Sequence, residues 1–258
     1  WLALCSDRDG RFDVFIVPST GGEMRKVLDQ PCPDWVVRWS PDGRHLAVVS
    51  EGAGQDYLTT VVPLDGGPAF AVSRAGQPIS AKGAHWAPDG QHLAFASNIS
   101  GLYQIGILKI ATGEITWLTQ GKGEKESPDW SPDGERLAYV VSHGPDCSLA
   151  VQSLGLAEST IFQVEPGVIY APSFTPDGEY LLFVFDNPRR PCDLWELHIA
   201  TGQFRQLTFS LPDDIPQDRL VLPQQVIYPS LDGTEVPALL YRPKQGGALP
   251  PAVVSVHG

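Results

Sequence analysis

The sequence predicts an all-β fold, a β-propeller of four-stranded blades, and three observations support this prediction. A short phrase, an aromatic residue followed by a small residue and then Pro-Asp-Gly, recurs four times, with its aromatic residue at Trp39, Trp86, Trp130 and Phe174. These aromatic residues lie 47, 44 and 44 positions apart. Each phrase leads into an apolar run that is too short for a stable helix. A repeat of about 44 residues has the size of one propeller blade.

Each Pro-Asp-Gly predicts the turn of a β-hairpin. Proline fixes φ at the first corner, the aspartate side chain can bond the backbone beyond it, and glycine accepts positive φ. A second hairpin follows within each unit, with clear copies beginning at Asp13–Val17, 103–110 and 193–199. A closing strand comes next, as at 114–119 and 203–208. Each repeat is therefore expected to contain four antiparallel strands.

The period also fixes the predicted blade limits. Four complete blades are expected at 31–73, 74–121, 122–165 and 166–209. Residues 1–29 supply only the last three strands of an earlier, partial blade. The four phrase aromatics are expected at equivalent buried sites, so the tryptophans are interpreted as blade core and not as a carbohydrate platform.

Composition excludes several classes of function. The net charge is −12, from 30 acidic and 18 basic residues, which argues against nucleic acid and anionic membranes as partners. No run of eighteen apolar residues predicts a membrane span. The four cysteines are scattered without metal-ligand spacing, so they are expected to be reduced, free and buried, which favours a cytoplasmic protein. The sequence predicts neither a metal nor a cofactor. Homo-oligomerisation is left open.

The pattern changes after the last blade. Residues 210–223 are proline-rich and predict a linker. Residues 224–258 begin a second domain, in which 252–256 has the composition of a strand buried on both faces of a parallel sheet. That run ends in His257 and Gly258. In α/β-hydrolases the loop after such a strand often starts with His-Gly, and a backbone N–H there stabilises the oxyanion.

Taken together, the chain resembles the prolyl oligopeptidase family of serine peptidases, in particular its acylaminoacyl-peptidase and dipeptidyl-peptidase-like branch. The resemblance rests on the repeated phrase, on 228–233 with 237–243, and on the ending Val256-His257-Gly258. It implies a propeller that caps an α/β-hydrolase domain, whose Ser, Asp and His cut short peptides. The expected partners are a peptide substrate and the chain's own C-terminal hydrolase domain, of which 224–258 holds the first strands.

The catalytic triad is not assigned within these residues. No Gly-x-Ser-x-Gly occurs in them, so the nucleophile elbow is missing, and the chain alone is expected to be catalytically silent. The loops that differ between repeats are the better candidates for specificity. Among them, Arg189 and Arg190 form the only pair of adjacent arginines in an acidic chain. This pair is a candidate for holding a substrate carboxylate or an acidic group of another domain, with a solvated pair as the alternative.

Two other functions remain open from the sequence. Similar propellers occur in periplasmic Tol-associated proteins that only bind partners, and such a protein should end after its propeller. A propeller-capped esterase would use the same oxyanion loop as a peptidase. The large propeller favours peptides over small esters, because a lid of this size suits selection by size.

Overall fold

The computed structural model describes residues 1–52, 57–74, 77–244 and 252–255. Helical structure in these ranges is limited to a 3-10 turn at Gln217–Arg219. No helix found there has the length and apolar character needed to cross a bilayer. The fold is built from β-strands, in sheets that follow one another along the chain.

The strands form five successive antiparallel sheets, which we call blades 1 to 5. Blade 1 has three strands, β1 (Leu2–Ser6), β2 (Asp13–Val17) and β3 (Arg25–Lys26). Blade 2 has β4 (Asp34–Trp39), β5 (His45–Glu51), β6 (Tyr57–Pro63) and β7 (Phe70–Ala71). A small hairpin of β8 (Ser73–Arg74) and β9 (Gln77–Pro78) follows it.

The next three blades have four strands each. Blade 3 has β10 (Lys82–Trp86), β11 (His92–Ser97), β12 (Gln104–Lys109) and β13 (Glu114–Trp117). Blade 4 has β14 (Glu124–Trp130), β15 (Arg136–His143), β16 (Asp146–Ser153) and β17 (Thr160–Phe162). Blade 5 has β18 (Val168–Phe174), β19 (Tyr180–Asn187), β20 (Arg190–His198) and β21 (Gln203–Gln206).

The strand order confirms the predicted β-propeller fold. In every blade the strands pair in sequence order, so each sheet is an up-and-down meander. The buried residues form clusters that each combine two successive blades, such as Leu149 of blade 4 with Phe183 of blade 5. Blades 3 and 4, blades 2 and 3, and blades 1 and 2 share similar clusters. The core is therefore a series of layers between neighbouring sheets, as in a propeller. The exact blade and linker limits stay predictions.

The Pro-Asp-Gly turns have the predicted chemistry. In the turn of blade 2, Asp42 Oδ1 accepts the Arg44 N–H at 3.0 Å and the Ser40 hydroxyl at 2.6 Å. These bonds hold the pKa of Asp42 below its usual range. Gly43 adopts a φ of +69°. Blade 3 has Ala87 in place of the serine, and there the His92 ring contacts Asp89 Oδ2 at 2.7 Å.

The phrase aromatics occupy one repeated position, with one difference in burial. Each lies opposite the first leucine of the next strand, as Trp130 lies opposite Leu137. Trp86, Trp130 and Phe174 are buried, whereas Trp39 is only half-buried. Trp39 packs on blade 1, whose three strands provide no inner strand to cover its indole. The prediction of four equally buried sites is therefore wrong at Trp39.

The buried indoles also join neighbouring blades by hydrogen bonds. Trp86 Nε1 donates to the carbonyl oxygen of Arg38 at 3.2 Å, and Trp130 Nε1 donates to that of His85 at 3.1 Å. Phe174 has no such donor. Instead its backbone N–H donates to Asp129 Oδ2 at 2.7 Å. Each of these contacts links one inner strand to the inner strand before it.

The inner strands of blades 3, 4 and 5 share a bulge that the sequence pattern did not predict. The pairing register shifts three residues before the aromatic, at Gly83, Ser127 and Ala171, and all three residues have positive φ. Only one of them is glycine. The left-handed conformation costs an L-residue roughly 1–2 kcal/mol, so Ser127 and Ala171 carry backbone strain.

Replacing Ala171 by glycine should therefore stabilise the fold. The Ala171 side chain is exposed and φ is +46°, so the change removes strain and loses no packing. We expect Ala171→Gly to raise the free energy of unfolding by about 1 kcal/mol, measured by urea denaturation. Ala200→Gly is the matched control, because Ala200 is also exposed but has negative φ. If the two variants are destabilised alike, Ala171 is not strained.

Beyond blade 5 the chain forms a separate hairpin. Strands β22 (Gln224–Pro229) and β23 (Glu235–Leu240) pair antiparallel and join no blade. Residues 252–255, in contrast, form no strand, and Val253 is 95% exposed. The predicted buried strand is wrong here because no strand of the described residues pairs with this segment. Burial of a β-branched run requires neighbouring strands and layers on both sides.

Candidate functional site

The turns between second and third strands lie on one face of the blades. In an up-and-down sheet these turns share a side with the connections between blades, and the Pro-Asp-Gly turns lie on the opposite side. We call the side that carries Gly144-Pro145, Pro188-Arg189 and the connection 163–167 the junction face. Sequence alone predicted loops at 143–146 and 187–191. In the structure both hairpins pair up to two-residue turns, through His143 with Asp146 and Asn187 with Arg190.

The segment after blade 5 returns over the junction face. Gln217 Nε2 donates to the carbonyl oxygen of Arg189 at 3.3 Å. Gln225 of β22 and Leu239 of β23 line a cavity together with Pro145 and Asp186 of the propeller. The linker and hairpin β22–β23 therefore contact the same face that carries the variable turns.

A buried carboxylate holds the start of the linker. Asp193 in β20 accepts hydrogen bonds from the Thr208 hydroxyl at 2.7 Å, the Ser210 hydroxyl at 2.9 Å and the Ser210 N–H at 3.0 Å. Gln206 Nε2 donates to its other oxygen at 3.0 Å. Burial alone raises the pKa of Asp193, but these bonds outweigh burial and lower the pKa overall. Asp193 thus fixes the point where the chain leaves the propeller.

Asp193 should make the fold sensitive to acid. The pKa of Asp193 is lower in the folded protein than in the unfolded protein. The stabilisation that Asp193 provides is therefore present at pH values above its unfolded pKa of about 4, and it is lost as the pH falls through its folded pKa. We expect Asp193→Asn to lower the free energy of unfolding at neutral pH by about 2 kcal/mol. Urea denaturation near pH 3 should show a smaller difference in the free energy of unfolding between variant and parent. A gap that does not change with pH would mean that the charge of Asp193 contributes nothing.

The sequence contains a signal for this arrangement that the repeated phrase alone does not reveal. In three blades, a hydrogen bond joins a side chain of the third strand to a side chain 15 positions later, at the end of the fourth strand, as Thr208 bonds Asp193. The other pairs are Gln104 with Thr119 and Ser148 with Gln163. Because they recur with the blade period, these polar residues could be found by aligning the repeats.

Arg190 has partners within the propeller. Its Nε pairs with Glu165 Oε1, its Nη1 donates to Gln206 Oε1 at 3.2 Å, and its guanidinium lies 5.5 Å from the Trp195 ring centre. The acidic group that Arg190 contacts is therefore the propeller's own Glu165. Sequence alone placed this residue in a loop, whereas it begins strand β20. Its role toward a substrate or another domain stays a prediction.

Arg189 differs from its neighbour. It lies in the turn, its carbonyl oxygen accepts the Gln217 contact, and its Nε is buried without a hydrogen-bond partner in the described part of the chain. A substrate role for Arg189 also stays a prediction. His257 and Gly258, the expected start of the oxyanion loop, lie outside the described residues.

The cysteines differ in exposure. All four are free, as predicted from their spacing. Only Cys147 is buried, while Cys5 and Cys32 are half-buried and Cys192 is exposed on β20. The expectation of four buried thiols is therefore wrong for three of them, because the half-buried and exposed residues lie near sheet ends and edges. Location in the cell stays a prediction.

No protein-family model and no curated protein sequence matches the chain. Solved structures do. A puromycin-hydrolysing peptidase of Mycobacterium tuberculosis aligns over 96% of this chain and 42% of its own, with a TM-score of 0.76 and 18% identity. A prolyl endopeptidase aligns over 94% of this chain and 38% of its own, with a TM-score of 0.72 and 14% identity.

A structure assigned to TolB of Agrobacterium tumefaciens is also similar, over 73% of this chain and 66% of its own, with a TM-score of 0.60 and 23% identity. The chain thus spans less than two thirds of the length of each of these three structures. At these identities the likeness establishes the fold alone. The chain is a β-propeller similar in structure both to peptidases of the prolyl endopeptidase type and to TolB proteins.

Proposed function

We propose that this chain is the propeller and domain junction of a serine peptidase that hydrolyses short peptides. The observation that carries the proposal is the hairpin β22–β23. It belongs to no blade, it lies on the junction face, and it leaves Ile227 and Tyr228 of its first strand and Leu231 of its turn half or more exposed. Exposed apolar residues clustered on one small element mark a surface that packs against something else.

The comparisons are compatible with the same proposal. The peptidase structures align over 94 to 96% of the chain and one TolB structure over 89%, so the alignments of both kinds extend past blade 5. In this proposal the hairpin begins a hydrolase domain that sits on the junction face. The propeller then restricts access, so that only short or unfolded chains reach the catalytic serine. Assignment to the acylaminoacyl-peptidase branch and to the cytoplasm belongs to this proposal as well.

A non-catalytic binding propeller is the second candidate. Two TolB structures share the fold with this chain, with TM-scores of 0.60 and 0.62. A binding propeller needs no hydrolase domain, so it gives no account of the exposed apolar side chains on β22–β23. The two candidates differ in whether a reactive serine accompanies the propeller.

Labelling with a biotinylated fluorophosphonate tests the proposal. This reagent reacts only with an activated serine, and in this proposal the catalytic nucleophile and its base lie outside these residues. We expect the 258-residue chain to remain unlabelled and a longer product of the same gene to be labelled at one serine. Heat-denatured protein is the control. A longer product that is folded but unlabelled would favour the binding propeller.

A further inference from the structure

A cleft of about 860 Å³ opens between blades 3 and 4. Strands β12 and β13 of blade 3 form one wall, with Ile107 and Trp117, and strands β15 and β16 of blade 4 form the other, with Tyr139 and Gln152. The cleft shares no lining residue with the cavity on the junction face, so the two are separate features. Its volume lies within the usual range for binding pockets.

The pairing register shows that one residue of the cleft departs from the repeat. In every blade, the leucine that begins the apolar run pairs with one residue of the next strand, as Leu137 pairs with Gln152 in blade 4. In the other blades this residue is aliphatic: Val17, Val62, Leu108 and Leu197. Gln152 is 3% exposed and lines the cleft. Blade 4 therefore buries an amide where all the other blades bury a hydrocarbon side chain, at a cost in desolvation.

A second residue of the cleft is smaller than its counterpart in the preceding blade. Thr116 pairs with Ile107 in blade 3, as Phe70 pairs with Val61 in blade 2. Phe70 packs into the layer between blades 2 and 3, whereas Thr116 is exposed and lines the cleft. The space that an aromatic ring fills in one layer is thus open in the next. The cleft is a property of these residues and not of propeller geometry in general.

The buried amide of Gln152 has capacity for one more bond. The Tyr139 hydroxyl donates to Gln152 Oε1 at 2.9 Å, and Gln152 Nε2 donates to the carbonyl oxygen of Leu156 at 3.1 Å. Burial raises the pKa of Tyr139, so its hydroxyl remains protonated and keeps this bond. A primary amide has two N–H donors, and the described part of the chain supplies an acceptor for one of them. The other can donate to a carbonyl oxygen of a ligand in the cleft.

The charged groups of the cleft have partners within the chain. Lys125 Nζ donates to the carbonyl oxygens of Gly123 at 3.1 Å and Gln120 at 3.4 Å. Asp89 and Asp133 accept backbone N–H groups of their own turns. Apolar side chains, in contrast, are left open, and Leu156 is 62% exposed. The cleft therefore suits an uncharged ligand with an apolar side chain.

Strand β13 adds a feature that favours a peptide as this ligand. Residues 116–120, from β13 and its continuation, line the cleft. In the described part of the chain β13 is the last strand of its sheet and pairs with β12 alone. An edge strand of this kind can add an extended peptide as a further strand. A peptide also carries the carbonyl oxygen that Gln152 can bond.

We propose that this cleft binds an extended, uncharged peptide segment of another molecule, with one apolar side chain between the two blades and one backbone carbonyl oxygen bonded by Gln152. The proposal does not rest on the proposed function, because a peptidase and a binding propeller can both carry such a site. Serine labelling does not depend on the cleft, so failure here is distinct from failure of the proposed function.

Calorimetric titration of the 258-residue chain tests this inference. The first probe is the peptide acetyl-Ser-Leu-Phe-Ser-amide. The second, acetyl-Ser-Ala-Ala-Ser-amide, keeps the backbone and lacks the large apolar side chains, and the third, benzyl alcohol, keeps an apolar ring and lacks the peptide backbone. We expect the first probe to bind and the other two to bind at least about tenfold more weakly.

Two substitutions restore in the cleft the residues that other blades have. Gln152→Leu removes the donor, and we expect it to weaken binding of the first peptide about tenfold. Thr116→Phe places a ring at the position of Phe70 and should fill the cleft, so that the peptide no longer binds. Urea denaturation checks that both variants fold. Thr116 is exposed, so its variant keeps the test valid if Gln152→Leu does not fold.

Matched controls carry the same substitutions outside the cleft. Thr160→Phe changes the residue at the same register position in blade 4, and Gln203→Leu changes an exposed residue of β21. Neither residue lines the cleft, so both variants should bind like the parent. Unchanged affinity in either folded cleft variant, equal binding of the first probe and another, or no binding at millimolar peptide would each overturn the inference. A dimer that Thr116→Phe dissociates, measured by sedimentation, would also overturn it, since a second copy would then occupy the cleft.

Discussion

Replacing Trp130 by alanine is expected to destabilise the propeller by about 4 kcal/mol. Trp130 is 7% exposed and packs with Ile105 of blade 3 and with Leu137 and Tyr139 of its own blade. Its indole N–H also donates to the His85 carbonyl oxygen. The substitution removes a large buried ring, leaves a cavity between two blades, and leaves that carbonyl without its partner.

Two further variants separate these contributions. Trp130→Phe keeps a ring and removes the N–H donor, as the sequence itself does at Phe174, and should cost about 1–2 kcal/mol. Trp35→Ala is the control at an exposed site, 47% exposed on the same kind of strand, and should cost less than about 1 kcal/mol. Urea denaturation measures all three. If Trp130→Ala costs no more than Trp35→Ala, the phrase aromatic does not hold the blades together.

Gly167→Ala should also be strongly destabilising, by about 3 kcal/mol. A Cβ at Gly167 would lie 2.5 Å from the carbonyl oxygen of Asp186 and 2.7 Å from the Phe185 ring. The first contact is with backbone in a paired strand, and the second is with a fully buried side chain. Neither group can move aside without disturbing the pairing of β18 with β19.

Gly155→Ala is the matched control for that substitution. Gly155 lies in a turn of the neighbouring blade, a Cβ added there would meet no atom within 4 Å, and its φ is not positive. Alanine there should leave stability unchanged or raise it slightly through the unfolded state. Thermal unfolding of both variants checks the contrast. Similar melting temperatures for the two would show that Gly167 is not sterically restricted.

Much of the fold follows from the sequence because its determinants are local. Proline, aspartate and glycine set each turn within five residues, and the apolar runs beside it set the strands. The period then places the strands in blades. Trp39 shows where this reasoning ends, since its burial depends on a neighbouring blade and not on its own repeat.

The rest of the candidate site depends on contacts between distant segments. Asp186 is an ordinary turn-proximal aspartate in the sequence, and only the structure places it at the cavity formed with β22–β23. Arg190 attracted attention as a rare basic residue, yet Glu165 and Trp195 engage it inside the propeller. Residues 252–255 have a strand composition, but strand formation requires partners elsewhere in the chain.

Peptide hydrolysis by a gene product that extends past residue 258, measured beside the 258-residue chain, tests the peptidase proposal most directly. Chromogenic aminoacyl and short peptidyl substrates are suitable, together with the same peptide sequence placed inside a folded protein. We expect the longer product to cleave the short substrates, to spare the folded one, and to lose activity with a serine-directed phosphonate, while the 258-residue chain gives the buffer rate. A longer product that is folded and cleaves nothing, or phosphonate-sensitive turnover by the 258-residue chain itself, would contradict the proposal.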